Sequence, residues 1–111
     1  MAKKINSRAK GAVAEREFAQ AWSEALGCKA RRGQQFAGGP ESPDVVHDIH
    51  DVHVEVKRVE ALSLYPAMSQ AKRDAVDKVP IVAHRKNREE WLVVVPLSQL
   101  RRLCKIINER E

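Results

Sequence analysis

Residues 43 to 57 read PDVVHDIHDVHVEVK, and the fold turns on how this stretch is laid out. Valine crowds both ends, where its branched side chain favours extended backbone, while the polar centre favours a turn. The pattern predicts a hairpin with strands over 45–48 and 52–57, turning near Ile49, His50 and Asp51. Because side chains alternate along a strand, Val52, Val54 and Val56 share one face and His53, Glu55 and Lys57 the other. The valine face is expected to enter a core, leaving the second face for chemistry.

Working outward toward the start, residues 1 to 7 read as a mobile basic arm, with Asn6 or Ser7 capping a helix. Ala14, Phe18, Ala21, Trp22 and Ala25 draw one apolar stripe on that helix, and Gly27 ends it. Residues 31 to 43 contain Gly33, Gly38, Gly39 and Pro40 without periodicity, which predicts a loop leading into Asp44.

Beyond the hairpin, Pro66 suits the first turn of a second helix. This helix would carry Met68, Ala71, Ala75 and Val79 inward, expose Lys72, Arg73 and Lys78, and stop at Pro80. Short strands follow over 81–84 and 91–95, around a turn with Lys86, Asn87 and Arg88; Pro96 closes the second. A last helix from near Ser98 presents Leu100, Leu103, Cys104 and Ile107 on one face, to cover the sheet or to build a dimer interface. The expected architecture is α/β, a mixed central sheet flanked by helices in the order αββαββα.

A chain of 111 residues has room for one compact core, and no repeat or linker divides it, so a single domain over 1–111 is expected. Hydrophobic residues at 43% exclude global disorder, and charged residues at 32% give a well-solvated surface. The net charge of +5 comes from clusters such as Lys3, Lys4, Arg8 and Lys10, or Arg101, Arg102 and Lys105. Such a surface attracts polyanions, nucleic acid foremost, although solubility alone is the plainer reading. Cys28 and Cys104 have no metal-binding spacing, and Cys104 sits between apolar helix positions as a small hydrophobe. The opening residues lack an apolar h-region, and no window approaches the ~18 apolar residues of a membrane span. A reducing cytoplasm, that of a bacterium or a phage-infected host cell, is the expected setting, without membrane or small-molecule cofactor.

Asp44 at the start of one strand and Glu55 on the next would bring two carboxylates together beside Lys57. Hard dications such as Mg²⁺ take oxygen ligands and accept one or two carboxylates plus substrate phosphate. Lys57 lies ~6.6 Å beyond Glu55 along the same strand face, within reach of a water or phosphate beside the cation. There it stabilises developing negative charge or orients the attacking water. Taken one at a time, each residue has a plainer role: Asp44 caps a turn after Pro43, and Glu55 and Lys57 form an exposed ion pair.

Pro43-Asp44, ten intervening residues and Glu55-Val56-Lys57, on a hairpin pattern flanked by helices, resemble the PD-(D/E)xK nuclease superfamily. A narrower resemblance lies in Lys10-Gly11-Ala12-Val13-Ala14-Glu15-Arg16-Glu17-Phe18, similar to the opening of archaeal-type Holliday junction resolvases and their phage relatives. Together these cover roughly residues 8 to 95. The resemblance implies a restriction-endonuclease-like core and Mg²⁺-dependent hydrolysis of DNA phosphodiesters, with Mn²⁺ able to substitute. By the same resemblance Glu15 completes the metal site with Asp44, Glu55 and the carbonyl of Val56, and Gln70 contacts metal-bound water or DNA.

Lys3, Lys4, Arg8, Lys10, Arg16, Arg31, Arg32, Ser42, Lys72 and Arg73 are the expected contacts to the DNA backbone, and the loop over 31–43 the substrate-contacting segment. A homodimer follows, since symmetric cutting of a four-way junction needs two active sites related by a two-fold axis. The extended loop over 32–42 and the final helix depart from the archaeal pattern. Two alternatives stay open: a nuclease of the same superfamily acting on ends, flaps or single strands, and a non-catalytic DNA-binding module on this fold. His47, His50 and His53 recur every third residue, but with His47 and His53 on different strands and no cysteine nearby they make no zinc site. Trp22 and Trp91 hold apolar periodic positions and are expected to pack in the core rather than stack on bases.

Overall fold

The computed structural model describes residues 7–33 and 44–110, the first four of them by backbone alone. Helix α1 spans Ser7–Leu26, followed by strands β1 (Ala30–Arg32), β2 (Val45–His47) and β3 (Val52–Lys57). Helix α2 (Leu64–Ala75) leads to β4 (Val79–His84) and β5 (Leu92–Val94), and a 3₁₀ turn (Leu97–Gln99) runs into α3 (Leu100–Asn108). Residues 1–6 of the basic arm expected over 1–7, and residues 34–43 of the loop expected over 31–43, lie outside the described residues.

Among the described residues two sheets form. β1 and β2 make an antiparallel ladder, and the other sheet has the order β3-β4-β5. β3 and β4 are joined through α2, and a crossover of that length returns the chain in the same direction. They are accordingly parallel, from Val52 opposite Val79 to Lys57 opposite His84, while β5 is antiparallel to β4. This is the mixed, helix-flanked sheet that the sequence predicts.

Several expectations are corrected. Arg31 and Arg32 belong to a strand, which adds a β element and changes the order to αβββαββα with the 3₁₀ turn before α3. β2 and β3 are not a hairpin: β2 takes β1 as its partner, Arg31 facing Val46, because β1 supplies an edge that the sequence pattern does not reveal. The second helix stops at Ala75 rather than Pro80, and Val79 and Pro80 are strand residues. β5 accompanies only Val82 to His84, so at Pro80 one edge of β4 has no partner strand in the described sheet and a missing N–H is tolerated. On α3 the buried positions are Leu103 and Ile106, while Leu100 and Cys104 are exposed.

The sheet separates two apolar layers. Val52, Val54, Val79, Ile81 and Ala83 face α1 and α3, where Phe18, Trp22, Leu103 and Ile106 complete the larger core. Trp22 is buried and Trp91 is packed against that cluster, its ring edge-on to Phe18 at 5.1 Å, so both tryptophans are core residues. On the opposite face α2 covers Val82 with Ala67, Met68 and Ala71. Ala67, Ala71 and Ala75 recur every fourth residue and are all buried, so α2 presents a stripe of methyl groups that lets it lie close on the strands. Its polar side chains are thereby brought down beside β3. Gly27, at φ +61°, supplies the left-handed residue that ends α1. No helix among the described residues is long and apolar enough to cross a membrane.

Candidate active site

The face of β3 carrying His53, Glu55 and Lys57 is largely covered at its first two residues, which rules out the plainer reading of Glu55 as half of an exposed ion pair. His53 and Glu55 are 4% and 5% exposed, because α2 lies over them. Two residues of α2 one turn apart reach this row. The Gln70 carbonyl oxygen accepts a hydrogen bond from Lys57 Nζ at 2.9 Å. The Asp74 carboxylate lies beside Glu55, within 4.8 Å, and Glu55 Oε1 lies 2.8 Å from His53 Nε2.

Asp44 arrives from the other side. It immediately precedes β2, and its Oδ2 accepts the Val56 N–H at 2.7 Å. The N–H and C=O of one residue in an extended strand point the same way, so the Val56 carbonyl also leaves β3 on the side of Asp44, away from β4. The two strands thus bring Asp44 and Glu55 together by a side chain reaching a strand edge.

Glu15 comes from the middle of α1. It is 9% exposed, accepts a hydrogen bond from Arg32 Nε at 3.0 Å and has the Asp44 carboxylate close by. The neighbouring glutamate of the same run turns away: Glu17 accepts the Trp91 indole N–H at 3.1 Å and pairs with Arg85. Two residues on a helix are ~200° apart around its axis, so only one of the pair can face the strands.

Three carboxylates, from α1, from the residue before β2 and from β3, are therefore drawn to one place. Burial raises the Glu15 pKa, Asp44 raises it further, and Arg32 opposes both. Burial likewise raises that of Glu55, with Asp74 and Asp44 adding to the effect and the His53 hydrogen bond opposing it. Carboxylates crowded in this way are stabilised by a proton or a cation, and their all-oxygen donor set fits a hard divalent ion.

Among the expected site residues, Glu15, Asp44, Glu55 and the Val56 backbone come together, while Lys57, on the strand face it shares with Glu55, pairs with Gln70. Of the expected DNA contacts, Arg16, Arg31, Lys72 and Arg73 are exposed, while Arg32 is half-buried and held by Glu15. The side chains of Lys3, Lys4, Arg8, Lys10 and Ser42 lie outside the described residues. Sequence reasoning did not single out Asp74, which the structure places with His53 and Glu55 so that their ligand atoms lie within 4.8 Å of one another; the signal available was the helical spacing of four between Gln70 and Asp74, beside the alanine stripe. His47 belongs elsewhere, its Nδ1 accepting the Ile49 N–H at 3.2 Å and its ring against Trp22.

In comparisons with known proteins, residues 6–111 match a family model described as "Phage putative PDDEXK endonuclease". No curated protein and no solved structure matches the chain.

Proposed function

The chain belongs to this phage PDDEXK endonuclease family, and from that premise we propose that it is a Mg²⁺-dependent, structure-selective DNA endonuclease that resolves four-way junctions. The observation that carries the reading is the meeting of Glu15, Asp44 and Glu55 beside a lysine fixed by Gln70. Asp44 and Glu55, with Glu15 and the Val56 carbonyl, would hold Mg²⁺, or Mn²⁺ in its place. When bound, the cation supplies Lewis acidity toward a phosphate oxygen and lowers the pKa of a water.

The protein's own groups do the rest. Lys57, held at 2.9 Å by Gln70, keeps its ammonium group on the strand face beside Glu55, where it orients the nucleophilic water or stabilises charge developing on the phosphate. Arg32 braces Glu15 so that this carboxylate faces Asp44. Exposed Arg16, Arg31, Lys72 and Arg73 would grip the DNA backbone, together with Lys3, Lys4, Arg8 and Lys10 near the start of the chain and Ser42 of the loop. Such contacts position the duplex and carry little sequence information.

The junction preference rests on the residues around Glu15, and the homodimer on the need for two symmetric cuts. Both would operate in the cytoplasm of an infected host cell. The test is cleavage of four-way, flap, linear duplex and single-stranded DNA by the purified protein with Mg²⁺. Paired symmetric nicks in the four-way substrate are expected, from a species that sediments as a dimer. Equal cutting of linear duplex would sink junction selectivity, and unchanged cleavage by Asp44→Asn would sink the site assignment.

A further inference from the structure

We propose that His53, Glu55 and Asp74 form a second cation site, built for a first-row transition dication of the Mn²⁺ or Zn²⁺ kind rather than for Mg²⁺. Each of the three offers one ligand atom, and these atoms all lie within 4.8 Å of one another, the separation expected of donors around one ion. They come from two elements whose relative position is fixed by the alanine stripe of α2 on the sheet. His53 Nε2 is aimed into the cluster, 2.8 Å from Glu55 Oε1, from a residue only 4% exposed.

The donor chemistry separates this site from the one described above. Glu15, Asp44 and Glu55 with a backbone carbonyl make an all-oxygen set suited to a hard ion. An imidazole nitrogen joined to two carboxylates shifts preference to Mn²⁺, Fe²⁺, Co²⁺ or Zn²⁺. A solitary buried His–Glu pair would need nothing more than a shared proton, but Asp74 adds a second carboxylate whose oxygen lies within 4.8 Å of both other ligand atoms. Glu55 belongs to both groups, and its two oxygens allow one to serve each ion.

Access does not depend on the Mg²⁺ side. His53 also lines a separate cavity of about 180 Å³, shared with His47, His50, Asp51 and Lys78 at the end of β3 away from Lys57. Asp74 is itself half-buried on α2, so the site opens toward solvent from the helix as well.

The inference stands apart from the nuclease reading, and Mn²⁺ alone serves as the probe. The wild-type chain is expected to bind two Mn²⁺, one showing ¹⁴N modulation in pulsed electron paramagnetic resonance from a coordinated imidazole. Asp44→Asn should keep the nitrogen-coupled ion and lose the other. Asp74→Asn and His53→Gln should each lower affinity at the nitrogen-coupled site by ~10-fold or more, with His53→Gln also erasing the modulation. Absence of ¹⁴N coupling in both wild type and Asp44→Asn overturns the inference, as does its persistence in His53→Gln. The wild-type and Asp44→Asn spectra decide the matter even where His53→Gln fails to fold. Loss of cleavage specificity or of cleavage itself, with the nitrogen-coupled ion retained, would refute the nuclease reading alone.

Discussion

Asp44→Asn is expected to abolish cleavage and yet make the metal-free protein harder to unfold. Asp44 lies against Glu15 and Glu55 and raises the pKa of both. At ~4–5 Å and an effective dielectric of ~20, one carboxylate pair repels by about 3–4 kcal/mol. Arg32, 3.0 Å from Glu15, offsets much of one such repulsion. Asp44 is only partly buried, so solvent screening takes roughly half of what remains and leaves ~2–3 kcal/mol to be relieved. Against this, the Val56 N–H now bonds 2.7 Å away to a neutral amide oxygen instead of a carboxylate. That exchange loses ~1 kcal/mol. The balance is ~1–2 kcal/mol of added stability in chelator above neutral pH, or several degrees in Tm for a domain of this size.

The assay is urea or thermal unfolding of both proteins, first in chelator and then with saturating Mg²⁺. The order should reverse with the cation. Wild type gains about 2.7 kcal/mol when the ion is present at a hundred times its Kd, and the variant gains little. A lower stability of Asp44→Asn in chelator, or equal stabilisation of both proteins by Mg²⁺, would refute the argument that these carboxylates are crowded for a cation.

Three further outcomes follow from the same geometry. In metal-free wild type, Glu15 and Glu55 have folded-state pKa values raised above 4.5, so the folded state holds more protons than the unfolded from pH ~4.5 upward; stability falls as pH rises through that window. Mg²⁺ should flatten this slope in a series of Tm values against pH, and an identical slope with and without the ion would contradict it. Lys57→Met should lower the single-turnover cleavage rate by ~10²–10³ while leaving DNA affinity in Ca²⁺ within a few-fold; a loss confined to affinity would make Lys57 a backbone contact. Val76 sits just past α2 at φ 59°, exposed and β-branched where glycine is at ease. Val76→Gly should add ~1 kcal/mol in chemical denaturation, and a loss would show the strain to be compensated by contacts.

The reading from sequence succeeded where one local pattern decides the answer. Valine alternation over 52–56 placed Glu55 and Lys57 on one side of a strand, and Gly27 and Pro96 marked real boundaries. It failed where a distant partner decides. Ala30–Arg32 becomes a strand only because β2 offers it an edge, and nothing within three residues announces that. The same gap made β2 and β3 look like a hairpin, since adjacent strands usually pair and the competing partner lay upstream. Pro80 was read as a helix stop because its missing N–H is harmless only beside an unpartnered edge, which is a property of the assembled sheet. Within the site, that Glu55 and Lys57 share a strand face was legible from alternation, whereas the approach of Asp44 to the edge of β3, and of Asp74 from α2, needed the assembled fold. His53 shows the same limit: its burial depends on a helix lying across it.

The methyl stripe of α2 brings two different periodicities into register. Four residues of helix advance ~6.0 Å and two residues of strand ~6.6 Å, so a helix laid along a strand keeps step with it for a rung or two and then slips. Gln70 meets Lys57 on one rung and Asp74 meets Glu55 on the next, the helix running counter to the strand. The arrangement acts as a vernier: either rung can change chemistry without disturbing the other, but inserting a single residue in α2 between them turns one rung ~100° around the helix axis. Substitutions at positions 70 and 74 should therefore alter which ions and phosphates the strand face handles, while insertions or deletions between them should silence it altogether.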